Sequence, residues 1–313
     1  MATKTGSNRI GKRRSLIFYS IMIAWPVLQF CVFYIGVNFN SILLSFKVYD
    51  EFDATHKAWE WGIENFARWL DFEDGTYGFM LPQAFIVSIK AYLISLIVGV
   101  PLGLFFSYYI FKKMPASGFF RVVLFLPTVL SSIVLISMYR PFINNVIHPV
   151  LNGMGLAGDK AFLDNDSTKF VTMMVYNVFV SFGTSVLMYS NKMTTISPEI
   201  IESAQLDGAG AFNEFFHIVL PMAFSTVSVF LITGIAGIFT NQINNYAFFP
   251  GSIAAYKETR TIGYILYYKT KQAGQKDWLY PPIAALGLML TVIVLPLTFL
   301  ARYLFERFGP SED

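Results

Sequence analysis

Six stretches of this chain run for about 20 residues or more without one Asp or Glu, and nothing else in the sequence limits the fold so tightly. A helix rising 1.5 Å per residue needs about 20 apolar residues to cross ~30 Å of hydrocarbon. The first stretch runs from Ser15 to about Phe46 and is expected to kink or break near Pro26. The others are about Phe85 to Phe111, Phe119 to about Ile143, Phe170 to Tyr189, Ile218 to about Thr240, and Pro282 to Tyr303. Gly99, Pro101, Gly103, Pro127 and Pro296 fall inside them, which a membrane helix tolerates because neighbours satisfy the freed backbone groups. No strand-like alternation suggests a barrel, so the expected class is an all-α polytopic membrane protein with about six transmembrane helices.

Composition agrees. Charged residues make up 14% of the chain, against about a quarter in a soluble domain. With 32 Phe, 17 Tyr and 5 Trp, a disordered chain is excluded. The single cysteine, Cys31, allows no internal disulfide, and a net charge of +3 gives no reason to expect a nucleic-acid partner. His56, His148 and His217 are scattered, so no metal site is expected. Gly6 to Arg13 falls one residue short of a P-loop, with Arg13 where a hydroxyl would hold magnesium, and no strand precedes it. No cofactor is therefore assigned to this chain.

Basic residues set the expected orientation. Lys12, Arg13 and Arg14 precede the first span, and Lys112, Lys113 and Arg121 sit between the second and third. Both clusters fall on one side of a six-span chain, which places that side and both termini in the cytoplasm. The first apolar run is too long for a signal peptide and lacks a clear cleavage site, so it reads as an uncleaved anchor. The expected organisation is a basic tail (1–14), a first transmembrane segment (15–46), an extracytoplasmic acidic loop (47–82), a core transmembrane domain (83–303) and a cytoplasmic tail (304–313). Two loops break the charge rule. Residues 242–280 should be outside yet carry Lys257, Arg260, Lys269, Lys271 and Lys276; residues 190–217 should be inside yet carry Glu199, Glu202, Asp207 and Glu214 against Lys192.

The acidic inner loop has its own grammar. Ser197 is placed to cap a helix with Pro198 at its first position, and Glu199 and Glu202 complement the helix dipole. Gly208 should end that helix, after which Phe212, Phe215 and Phe216 resume a helical pattern running into the fifth span. A short polar helix, a glycine corner and a re-entry helix make a knob suited to being gripped by another chain.

Glu202-Ser203-Ala204, three residues, Gly208, nine residues, and then Ile218-x-Leu220-Pro221 resemble the EAA loop of ABC importer permeases, with Ser203 in place of an alanine. The flanking residues, including Asp207, are similar to the carbohydrate-uptake branch typified by maltose-type and glycerol-phosphate-type permeases. The resemblance extends from about Phe85 to Arg302. It implies a type I ABC importer permease fold in a bacterial-type cytoplasmic membrane and a coupling loop at 197–221. In such systems an extracytoplasmic solute-binding protein delivers a carbohydrate to two permease subunits, here a heterodimer with a second permease. A cytoplasmic ATPase dimer holds the ATP and magnesium. Carried over residue by residue, Glu202 is the polar anchor in the ATPase groove, Gly208 the corner, and Leu220-Pro221 the hinge into the fifth span. Two features depart from the pattern: residues 47–82 are too few for the large inserted domain of the maltose permease, and Asn241 to Gly251 stands where a Gly-Gly-Pro stretch is often found.

Polar residues inside the spans mark a candidate solute path. Thr226, Thr233, Gly237, Thr240 and Asn244 share one stripe of the fifth span and its extension, and Asn177, Ser181 and Ser185 share a face of the fourth. With Tyr176, Asn241 and Asn245 they would line a neutral, hydroxyl-binding path. Ordinary helix packing uses the same residue types, with weight about equal for the asparagines and greater for Ser and Thr. Lys90 and Arg140, near span ends, read as snorkelling side chains. Trp59, Trp61 and Trp69 make the first outer loop a candidate docking surface for the binding protein, and an interfacial aromatic belt fits them equally. Import of a polyol or phosphodiester remains open within the same class. An ion-coupled transporter would need ionisable residues in the central parts of spans three to six, and there are none.

Overall fold

The computed structural model describes residues 5–50, 58–73, 77–250, 257–274 and 276–310, with the side chains of 5–14 and of Phe182 left undescribed. Lys4, Glu51, Asp53, His56, Lys57, Asp74 and Gly251 lie outside the described residues. Among the described residues, five helices are long and apolar enough to span a bilayer: Ser15–Ser45, Gly78–Phe111, Lys169–Met193, Ala211–Ala236 and Asp277–Phe308. The helices Ser117–Val129 and Ser132–Gly153, which meet at 108°, make a sixth when taken together as one broken span.

The chain divides into two compact units. The first comprises residues 1–68 and 273–288. In it α1 (Thr5–Gln29) continues through a π-helical stretch, Phe30–Gly36, into α2 (Val37–Ser45). Pro26 therefore does not interrupt the rod, and the helix begins at Thr5, inside the expected tail. Every described side chain from Ser15 to Leu43 is exposed, among them Trp25, Phe33 and Ile21. Such a surface is stable only against lipid or another apolar partner. Strands β1 (Lys47–Tyr49) and β2 (Trp59–Trp61) form an antiparallel hairpin with Val48 opposite Glu60, a small addition to the expected all-α fold. Asn65, on α3 (Glu64–Leu70), ties the hairpin to the rod by donating to the carbonyls of Ser45 and Lys47. Trp59 and Trp61 are exposed, as a docking surface or belt requires. Trp69 is not; it is fully buried, edge-on to Tyr77, within the second unit.

The second unit, residues 69–272 and 289–313, holds the remaining spans except the first part of Asp277–Phe308, which up to Leu288 belongs to the first unit. Helices α4 (Leu81–Ile94) and α5 (Val100–Phe111) make one span through the π stretch Ser95–Gly99. Helices α6 (Ser117–Val129), α7 (Ser132–Phe142) and α8 (His148–Gly153) form the broken span, with a π stretch at Ile143–Ile147. Next come α9 (Lys169–Met193), α10 (Pro198–Leu206), α11 (Ala211–Glu214), the π stretch Phe215–Val219 and α12 (Leu220–Ala236). The chain ends with α13 (Asn245–Phe248), α14 (Ile262–Ala273) and α15 (Tyr280–Phe308).

Three of the π stretches stop two residues before a proline: Pro101, Pro149 and Pro221. Each proline ring would collide with the carbonyl four residues back. Those carbonyls, on Ile97, Asn145 and His217, all lie inside the π stretches, where the wider turn carries them clear of the ring. The break between α6 and α7 has a different cause. Leu130 and Ser131 are extended, so the third apolar run is two helices rather than the single crossing its composition suggests.

Helix α9 is the hub, packing against α5, α6 and α12. Small residues allow the close approach: a Cβ on Gly183 would sit 2.1 Å from the Leu124 carbonyl oxygen of α6, and one on Gly103 3.2 Å from Ser185 Oγ. Ser107 adds a bond from its hydroxyl to the Val186 carbonyl at 3.1 Å. One core gathers Ile136, Met173, Met174 and Phe248; another gathers Leu104, Tyr189, Met193, Ile201, Val219 and Ala223. At the start of α9, Lys169 donates to Asp166 and holds that carboxyl below its usual range, chiefly through this hydrogen bond.

Candidate functional site

The 197–221 loop folds as its residues imply. Ser197 is extended at the N-cap, Pro198 opens α10, and the Ser197 hydroxyl donates to the Glu199 carboxylate. Gly208 takes φ +85°, a left-handed conformation that suits glycine, and the Ala209 N–H closes back on the Ala204 carbonyl at 2.9 Å. Gly210 is extended, and α11 then passes through the π stretch into α12 without a break, so Ile218, Leu220 and Pro221 lie within a continuous helical entry to the fifth span.

One face of α10 is held and the other is bare. Ile201 is buried with Ile196, Met193 and Val219. Glu202, Ser203, Asp207 and Gly208 are exposed, Ala204 is half-buried, and Leu206 and Phe212 are 89% and 80% exposed. Among the described residues Glu202 forms no ion pair. The acidic and apolar groups on this face are therefore available to a partner.

Glu214 behaves in the opposite way. It was one of four acids that made the loop look like a docking surface, yet it is 2% exposed and turned inward. Its carboxylate accepts from Lys112 Nζ at 2.8 and 2.9 Å, from Gln205 Nε2 at 2.9 Å and from Tyr108 Oη at 3.0 Å. Tyr108 lies on α5, Lys112 directly follows it, Gln205 lies on α10 and Glu214 on α11. One carboxylate thus clasps the exposed helix and the re-entry helix to the end of the second span. Sequence reasoning missed this because the ion pair joins residues 102 apart, and no spacing rule connects them.

Deeper in the second unit, α4, α5, α9 and α12 line an open cavity of about 400 Å³. Its polar lining consists of hydroxyls and one amide: Ser88, Tyr92 and Ser95 on one side, Ser181, Ser185 and Tyr189 on α9, then Thr233, Thr240, Asn241 and Thr261. No charged side chain lines it. Gly99, Gly234 and Gly237 bring helix backbone to its surface.

Of the eleven path residues named from sequence, Ser181, Ser185, Thr233, Gly237, Thr240 and Asn241 come together in this lining. Thr226, Tyr176, Asn177, Asn244 and Asn245 lie outside it. Tyr176 is buried and packs edge-on to Phe248. Asn177 donates to the Met173 and Ile243 carbonyls at 2.8 and 2.9 Å and accepts from Asn244 Nδ2 at 2.7 Å. Ile243 and Asn244 have φ +46° and +57°, so this amide pair holds a turn that a β-branched residue rarely adopts. Asn241 Oδ1 completes the brace by accepting from the Ile243 N–H at 2.8 Å. Asn245 is fully buried and donates to the Thr259 carbonyl at 2.7 Å. The lining of Tyr92, Ser95 and Tyr189 was not anticipated, since serine and tyrosine at these spacings are equally consistent with packing.

Residues 95–310 match the family model described as binding-protein-dependent transport system inner membrane component. The probable ABC transporter permease protein YurN of Bacillus subtilis (strain 168) is 28% identical over 294 residues, covering 92% of this chain and 95% of that protein. The galactooligosaccharides transport system permease protein GanP of the same organism is 25% identical over 293 residues, covering 88% of this chain and 68% of that one. Among solved structures, a chain of a bacterial alginate ABC transporter, in complex with an alginate pentasaccharide-bound periplasmic protein, superposes with a TM-score of 0.74 at 19% identity, covering 95% and 96% of the two chains.

Proposed function

The chain belongs to the family of binding-protein-dependent transport system inner membrane components, as a multi-pass transport subunit of the cytoplasmic membrane, and we propose that it is one half of the pore of an ATP-driven oligosaccharide importer. The observation that carries this reading is the α10–α11 knob, bare on its Glu202 face and clasped from within by Glu214. A partner ATPase gripping Glu202, Ser203, Ala204 and Asp207 moves a rigid element. ATP and magnesium act on that partner, and the knob and both termini face the cytoplasm.

The knob reaches the cavity by two covalently or ionically rigid routes. Through Glu214 it is bonded to the end of α5, and through the π stretch at Phe215–Val219 it is continuous with α12. Both helices contribute to the cavity wall, α5 through Val100 and α12 through Thr233 and Gly234. Displacement of the knob therefore changes the shape of the cavity, as alternating access requires. The neutral, hydroxyl-rich wall suits a solute recognised by hydrogen bonding. GanP is named for galactooligosaccharides and the structural neighbour for alginate, and both names support an oligosaccharide. An extracytoplasmic binding protein delivers it, and a second permease subunit completes the pore.

Glu202→Lys tests the docking face. In the purified complex it should abolish solute-dependent ATP hydrolysis and weaken ATPase association, while the variant still inserts and folds. Normal hydrolysis and transport would remove Glu202 from the interface.

A further inference from the structure

Arg140 is a cation inside the broken third span, on α7, which otherwise presents Ile133, Val134, Met138 and Phe142 to its surroundings. A guanidinium in such a segment is costly and marks a functional group unless a counter-ion neutralises it. Among the described residues none does: no carboxylate lies within 4 Å of Arg140, and none of its donors has a hydrogen-bond partner. Snorkelling along an apolar wall does not describe its surroundings either. Arg140 is half-buried and lies in an open groove along one side of α7 with Ser137, Pro141, Asn144 and Asn145. Ser137, Arg140 and Asn144 lie three and four residues apart, on one side of α7 and its π continuation. Asn144 donates its amide to Asp164 at 3.3 Å.

We propose that Arg140 and its groove form a subsite for a carboxylate of the transported solute, so that the substrate is an acidic oligosaccharide. The fork of guanidinium donors fits a carboxylate through two parallel hydrogen bonds, and the Ser137 hydroxyl and Asn145 amide supply the neutral contacts that a sugar hydroxyl beside it would take. The central cavity, with no charge in its lining, reads hydroxyls, and the groove reads the acid. Two recognition tasks are thereby placed at two points of one subunit. This inference rests on the saccharide-importer reading above.

The test uses the assembled importer in proteoliposomes, with trigalacturonate and α-1,4-linked galactotriose as probes, two trisaccharides of the same linkage that differ only in carboxylate against hydroxymethyl at C6 of each ring. Arg140→Gln should lower trigalacturonate uptake at least tenfold at subsaturating concentration and leave galactotriose uptake within twofold. Arg140→Lys, which keeps the charge but not the fork, should fall between. The binding protein is common to all variants, so the ratio isolates the permease, and galactotriose uptake controls for folding. Unchanged uptake of both probes would overturn the proposal. An equal fall in both would also overturn it, making Arg140 a structural group or an anchor for lipid phosphate. A wild-type complex that carries galactotriose but no uronide would refute the acidic substrate, and one that carries no saccharide of any kind would overturn the importer reading and this inference with it.

Discussion

Glu214→Gln should release the coupling knob without unfolding the protein. The side chain keeps its size and one acceptor oxygen, so the Tyr108 bond at 3.0 Å can survive. The substituted amide, however, sets an N–H2 group against the Lys112 ammonium and the Gln205 amide, which are both donors. Removing one partner of a buried ion pair costs about 3–5 kcal/mol. Lys112 is 21% exposed and can turn partly to water, which lowers the local cost to about 2–4 kcal/mol. At about 1.4 kcal/mol per decade, the knob should open roughly 30- to 800-fold more often. Amide hydrogen exchange over residues 198–217 reads this directly. The Glu214 N–H, bonded to the Gly210 carbonyl at 2.9 Å, and the Ala209 N–H should lose protection, while α9 retains it. Lys112→Met should act in the same direction, and the double variant with Glu214→Leu should cost less than the two single changes together. If Glu214→Gln left protection over 198–217 within twofold of wild type, the clasp would not be what holds the knob.

Three further outcomes follow from the geometry. Gly183→Ala places a methyl 2.1 Å from the Leu124 carbonyl oxygen, a backbone atom that moves only with α6, so thermal stability in detergent should fall by about 1–3 kcal/mol or more; an unchanged midpoint would refute the tight α6–α9 contact. A Cβ at Gly208 meets nothing within 4 Å, but Gly208→Val forces a β-branched residue to φ +85°, at about 1–2 kcal/mol, so uncoupling should appear without loss of the folded protein; full coupling, measured as transport per ATP, would count against the corner. Thr233→Val removes a cavity hydroxyl at constant volume, and one lost hydrogen bond of about 0.5–1.5 kcal/mol should slow uptake roughly 2- to 12-fold while basal ATP hydrolysis is unchanged; equal uptake would take Thr233 out of the path.

The spans were legible because bilayer thickness imposes a length that single-sequence counting can detect. The α10 helix was legible because capping is local: Ser197, Pro198 and Gly208 act within one or two turns. The break at Leu130–Ser131 was not, since Pro127 alone is tolerated in a membrane helix and the turn depends on how α6 and α7 each pack. Glu214 shows the limit most clearly. On charge alone it is indistinguishable from Glu202, and only the fold decides that one faces outward and the other meets Lys112. The asparagines divide in the same way: Asn241 reaches the cavity, whereas Asn177 and Asn244 bond each other across a left-handed turn whose geometry no periodicity encodes.

Coupling of the α10–α11 knob to a partner ATPase is decided by uptake into proteoliposomes holding the complete complex, with internal ATP and external binding protein as the only variables. Saccharide uptake should occur only when both are present, be lost with a non-hydrolysable ATP analogue and be unaffected by collapsing proton and sodium gradients. Uptake that persists without ATP, or that follows an imposed ion gradient, would contradict it.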